Sequence, residues 1–143
     1  MIRSRMIQVV SAVMFVGFMS FFFASTASAQ QSAQQTTAGA KRTVLEQKDL
    51  SVTGYEGVLV RTELAPGATE PMHTHPGDFF AYVLEGTITL TREGQETVKR
   101  KAGEVFFVPA GIVHGASNEG TTTAKLLVTF FVEKGKPLTT PVK

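Results

Sequence analysis

The chain reads as an all-β protein, and three observations point there. From Arg42 onward, short segments rich in Val, Leu, Thr, Phe and Tyr follow one another: TVLEQ, GVLVRTEL, FFAYVLE, TITLTR, ETVKRK, EVFFVP and AKLLVTFFVEK. Several alternate apolar with polar, so that Val58, Val60 and Thr62 face one way and Leu59, Arg61 and Glu63 the other. Turn signals stand between them, at Pro66-Gly67, Pro76-Gly77, Glu85-Gly86, Glu93-Gly94, Ala102-Gly103, Pro109-Ala110-Gly111 and Glu119-Gly120. No stretch of residues 42–143 shows a helical period. Many short strands at this spacing predict a closed or two-sheet all-β domain over 42–143, ending in a short C-terminal tail.

The elements before Arg42 read differently. Arg3 and Arg5 precede a long apolar run, and Ala27-Ser28-Ala29 closes it with a small-x-small site. Residues 1–29 therefore predict a secretory signal peptide cut after Ala29, and a periplasmic or secreted protein. A retained anchor is the rival reading, since the run is nearly long enough to span a bilayer. Gln8, Ser11 and Ser20 interrupt it, and the Ala-x-Ala site stands where a peptidase needs it. Residues 30–41, QQSAQQTTAGAK, are polar and low in complexity, and predict a flexible leader.

Cleavage would change the charge balance. The chain carries 14 basic and 12 acidic residues, and both basic residues of the excess lie in the signal peptide. The remaining chain is neutral, with no basic footprint for nucleic acid or an anionic membrane. Lys99-Arg100-Lys101 is a short run that suits a solvated strand end. With no cysteine, disulfides, thiolate ligands and cysteine nucleophiles are all excluded. About a hundred residues suffice for one core.

The chemistry gathers in the three histidines. His73 and His75 stand two apart in a segment that reads as strand, so both point to one face with Cα atoms about 6.5 Å apart. Imidazoles at that spacing converge on one ion with bonds of about 2.0–2.1 Å. His114 follows the Pro109-Ala110-Gly111 corner, where fixed proline φ and a permissive glycine aim the next strand inward.

On these residues the chain resembles the cupin superfamily, most of all its small exported single-domain (type-2) members. The first cupin motif, G-(x)5-H-x-H-(x)3–4-E-(x)6-G, runs from Gly67 through His73 and His75 to Gly86, with Phe79 in place of the glutamate. The second, G-(x)5-P-x-G-(x)2-H-(x)3-N, is met by Gly103, Pro109, Gly111, His114 and Asn118. The resemblance implies a conical β-barrel or jelly roll (double-stranded β-helix), a metal held inside, and a homodimer.

Phe79 is the departure from that pattern. Without the glutamate, the resemblance leaves His73, His75 and His114 as metal ligands and Phe79 as an apolar pocket wall. Asp78, on a regular strand, points to the opposite face, and Glu70 reaches the site only if the chain bends. Three neutral imidazoles leave a divalent ion its full charge, which favours an anionic group or hydroxide beside it. An all-nitrogen set accepts zinc, iron, copper or nickel, with Fe2+ or Zn2+ the first expectation, and suits magnesium or calcium badly.

Other side chains carry blander expectations. Phe106 and Phe107 divide between core and an outer contact, Tyr82 is out of phase with Phe79, Glu85 belongs to a turn, and Asn118 bonds local backbone. Arg61 is either a surface charge or a substrate clamp. No catalytic acid or base is identified. Two functions follow as expectations: a small-molecule dioxygenase or related oxidoreductase, and a non-catalytic ligand-binding or sensor cupin.

Overall fold

The computed structural model describes residues 34–37 and 39–142. The expected signal peptide, 1–29, lies outside them. Among the described residues eleven strands run in chain order: β1 Gln34–Thr37, β2 Ala40–Asp49, β3 Tyr55–Leu64, β4 Thr69–Thr74, β5 Asp78–Glu85, β6 Thr87–Arg92, β7 Val98–Lys101, β8 Val105–Val108, β9 His114–Ser117, β10 Ala124–Glu133 and β11 Thr140–Pro141. One sheet has the order β1-β2-β3-β10-β5-β8 and the other β11-β4-β9-β6-β7. Among the described residues every pairing is antiparallel, and the two sheets make the two-sheet all-β domain that the strand pattern predicts and the jelly roll that the resemblance implies. Among the described residues no helix is long and apolar enough to cross a membrane.

The leader expected over 30–41 needs correction. Gln34–Thr37 form β1, paired with Ala40–Thr43, and Ala40 belongs to the core. A polar strand such as QQTT has no apolar period to betray it, because backbone hydrogen bonds to its neighbour suffice to hold it. The C-terminal tail likewise returns to the fold, as β11 on β4.

Alternation decides which side chains meet between the sheets. In β5, Phe79, Ala81 and Val83 are buried while Phe80, Tyr82 and Leu84 are exposed. In β8, Phe106 and Val108 point in, and Val105 and Phe107 point out. Val58, Val60 and Leu64 of β3 join Leu126, Val128 and Phe130 of β10 in the same core. Asn118, buried after β9, stitches loops to it. Its Nδ2 donates to the Leu64 and Thr122 carbonyls, and its Oδ1 accepts the Gly120 N–H. That reaches well beyond the local bond expected of it.

Two irregularities shape the end of the barrel that holds the histidines. Between Glu70↔Ala116 and His73↔His114 the register of β4 and β9 slips, three steps on one strand against two on the other. The extra residue is a β-bulge, and Pro71, with no N–H to give a ladder, sits within it. Opposite, Gly115 lets the strands approach: a Cβ there would lie 2.8 Å from the Glu70 carbonyl oxygen. The second irregularity is the corner before β9. Gly111, at φ 75°, donates its N–H to the His75 carbonyl, and the Ala110 N–H donates to the Asp78 carboxylate. The two motif-bearing loops are thereby pinned to each other.

Candidate metal centre

The strands bring His73, His75 and His114 together. His73 and His114 are cross-strand partners on β4 and β9, and His75 follows directly after β4. All three are buried, and one ring nitrogen of each lies within 4.8 Å of the others. Ring centroids are 4.5–5.0 Å apart.

Each ring is oriented by a backbone carbonyl. Nδ1 of His73 lies 2.7 Å from the Pro71 oxygen, Nδ1 of His75 2.6 Å from that of Leu138, and Nδ1 of His114 2.8 Å from that of Ile112. A carbonyl only accepts, so all three Nδ1 atoms carry the proton and donate it. Nε2 is then a bare lone pair on every ring. The Nε2 atoms of His73 and His75 stand 3.2 Å apart. Two lone pairs at that distance repel unless a cation lies between them.

Protons are poorly suited to that role. Burial holds the His75 imidazole down at about 3 and the His114 imidazole at about 4, against partial relief from their carbonyl bonds. His73 is also lowered, first by burial and further by the Arg42 charge, while the Pro71 carbonyl pulls the other way. At neutral pH the cluster is three uncharged donors with second-sphere carbonyls that fix their aim. Two metal–nitrogen bonds of about 2.0–2.1 Å span up to about 4.1 Å, so the 3.2 Å pair is within reach of one ion. The donor set is compatible with a divalent metal ion.

Phe79 lines the same cavity, its ring 5.1 Å from His75 and 5.3 Å from His114, with Phe130 at 5.2 Å and Phe106 at 6.1 Å. The cavity is small, about 40 Å3. Asp78 faces outward and is engaged by Ala110. Tyr82 lies on the outer face, and Glu85 pairs with Lys125. Arg61 is a partly exposed partner of Glu63 and does not line the histidine cavity.

The charge at the site comes instead from Arg42 and Glu70. The β4 bulge supplies the bend that Glu70 required, and turns its carboxylate inward among the cavity walls. It meets Arg42 rather than the histidine cluster: Nη2 lies 2.8 Å from Oε1, across the gap between the two sheets. Arg42 had no signal beyond its place at the start of the predicted domain. The Pro71 in a strand was the one hint of the bulge.

Comparison with known proteins agrees with this architecture. Residues 60–136, more than half of the chain, match the cupin domain family. Germin-like protein subfamily 2 member 2 of Arabidopsis thaliana is 40% identical over 77 residues, covering 50% of this chain and 35% of that protein. Oxalate oxidase 2 of Hordeum vulgare is 30% identical over 118 residues, covering 76% of this chain and 53% of that one. The chain thus spans about half or less of the length of these relatives. The crystal structure of an RmlC-like cupin from Shewanella frigidimarina superposes with a TM-score of 0.56 at 26% identity, covering 75% of this chain and 89% of that one. By its fold, its histidine cluster and this match, the chain belongs to the cupin domain family.

Proposed function

We propose that the protein is an exported, metal-dependent oxidoreductase that holds one divalent transition ion, iron(II) or zinc(II), through His73, His75 and His114. The observation that carries this reading is the pair of facing lone pairs on His73 and His75, with every Nδ1 proton already committed to a carbonyl. A bound ion would supply Lewis-acid or redox chemistry with coordination positions left open. Iron is the form that suits a dioxygenase-type oxidation of a small organic molecule. The chain's own contribution is to aim three neutral donors and to exclude bulk water with Phe79, Phe106 and Phe130. The similarity to oxalate oxidase supports the reaction class. Phe79 in the place of a ligand glutamate favours the second reading, a cupin that binds a small molecule without turning it over.

Elemental analysis of protein recovered from its own secretory compartment tests the first reading. About one iron or zinc per chain is expected, with aerobic turnover that His114→Ala abolishes. Metal without turnover across a broad substrate panel favours the second. N-terminal sequencing of the same material is expected to begin at Gln30.

The proposed assembly is a homodimer through the outer face of β5, β8 and β10. Phe80, Tyr82, Leu84, Val105, Phe107 and Phe131 are all exposed there, and β8 is an edge strand apolar on both faces. Together these side chains offer on the order of 500 Å2, against about 800 Å2 from each partner in a standard interface. A Phe80→Asp chain eluting as a monomer, where the parent elutes as a dimer, is the expected result.

A further inference from the structure

We propose that Arg42 is the anion-recognition residue of this site, and that the ligand it selects is a small monocarboxylate with an apolar body. The inference rests on the three-histidine centre as the reacting end and adds what enters beside it.

Two cavities share three wall residues, Arg42, Glu70 and His73, which stand as a neck between them. The inner one, about 40 Å3, lies against the histidines and phenylalanines. The outer one, about 160 Å3, is bounded by Pro71, Met72, Thr139 and Pro141. The inner space suits two or three water-sized groups, whereas the outer one suits a body the size of a benzene ring. A ligand of that size must therefore stop at the neck, with only its reactive end inside.

The neck carries unspent hydrogen-bonding capacity. Glu70 is nine-tenths buried, and its Oε1 has Arg42 as an ion-pair contact but no aligned hydrogen-bond donor. A buried charge normally gathers several such bonds. Among the described residues, the guanidinium has one other side-chain hydrogen bond, Nη1 to Thr139 Oγ1 at 3.4 Å. A fork of five donors is far from filled by one carboxylate oxygen and one distant hydroxyl.

Charge and shape then select the ligand. Arg42 and Glu70 cancel, and imidazoles that each keep one proton on a backbone carbonyl cancel none of a divalent ion's charge, so a loaded site calls for an anion. A planar fork matches a carboxylate through two parallel bonds. Pro71, Met72 and Pro141 offer the rest of the ligand apolar surface, which a bare dianion such as oxalate would not use. Thr139 places the C-terminal strand over the same mouth, so a ligand bound there also holds β11 down.

The test uses protein purified from expression of the full chain, metal-free and cobalt(II)-loaded, titrated calorimetrically with benzoate, benzamide and oxalate. Benzoate is expected to bind in both forms and its neutral isostere benzamide at least about tenfold more weakly. Arg42→Gln combined with Glu70→Gln removes the charges as a pair, leaving neither buried alone. It is expected to lose benzoate by about tenfold or more while cobalt still binds the histidines, seen in its visible spectrum. Arg42→Lys keeps the charge without the fork and is expected to fall between the two. The proposal is overturned if benzamide binds as well as benzoate, if oxalate binds as tightly, or if both variants stay within about twofold of the parent. Failure of the parent to bind cobalt would instead strike the three-histidine reading, since the metal-free titration stands apart from it.

Discussion

The inner chamber and the outer vestibule share Arg42, Glu70 and His73 but are held together by opposite means. Inside, three uncharged rings are aimed by backbone carbonyls and walled by phenylalanine. At the shared wall a charge pair spans the gap between the sheets, and the C-terminal strand borders the outer cavity. Removing an inner residue leaves a gap with no stranded charge, while removing one member of the outer pair leaves an ion buried alone. Cation binding and stability therefore separate in space, and substitutions on either side of the neck can show it.

The largest effect is expected inside. His114→Ala takes away one of three donors, and affinity for zinc or cobalt is expected to fall by more than about 100-fold. Stability of the metal-free chain should change far less, because a buried uncharged ring is lost and nothing charged is exposed to the core. Competition with a chromophoric chelator and urea unfolding measure the two. Equal losses in both would merge the regions that the comparison separates.

Arg42→Ala reverses the pattern. It strands the Glu70 carboxylate in the core, and such breaks cost about 3–5 kcal/mol. The double neutral variant is expected to recover most of that in urea unfolding, with cation affinity near that of the parent. A double variant as unstable as the single one would show that the pair acts through packing alone.

Phe79→Glu sits between the two cases. The new carboxyl would face His75 and His114 where Phe79 now does, at a cost to the metal-free protein of a few kcal/mol for burying an acid. Zinc is expected to bind more tightly than to the parent and to return much of the lost stability by mass action. A variant destabilised equally with and without zinc would mean that this position does not reach the ion.

Much of this was legible in the chain, but unevenly. The histidines could be read because the chain has only three, set by an H-x-H step and a proline-glycine corner whose geometry is local. Alternation set Phe79 and Tyr82 on opposite faces of β5 by the same local rule, and divided Phe106 from Phe107 on β8 without saying which of the two points in. The Arg42–Glu70 pair was not legible, since its members lie 28 residues apart on different sheets and meet only through a bulge. Strands β1 and β11 escaped for another reason: one is wholly polar and the other two residues long, so neither has a period to detect.

A graded effect is expected from pH. Each histidine titrates near 6.5 when unfolded, and the folded cluster lies lower, at about 3 for His75 and about 4 for His114. Between those limits the unfolded chain binds more protons, so stability is full above pH 6.5 and is lost as pH falls. The slope for the metal-free protein is at most about 1.4 kcal/mol per pH unit for each histidine kept neutral. Urea midpoints at pH 7 and pH 5 measure it, and a midpoint that stays level or rises at pH 5 would contradict the burial of neutral rings.

The most direct measurement is an anomalous difference map from crystals grown with cobalt(II) or zinc(II). One peak is expected, bonded at about 2.0–2.1 Å to Nε2 of His73, His75 and His114, with Glu70 still on Arg42 and no protein oxygen on the ion. An empty map at the cluster, or a peak ligated by Glu70 or through Nδ1, would contradict a carboxylate-free centre built from three neutral imidazoles.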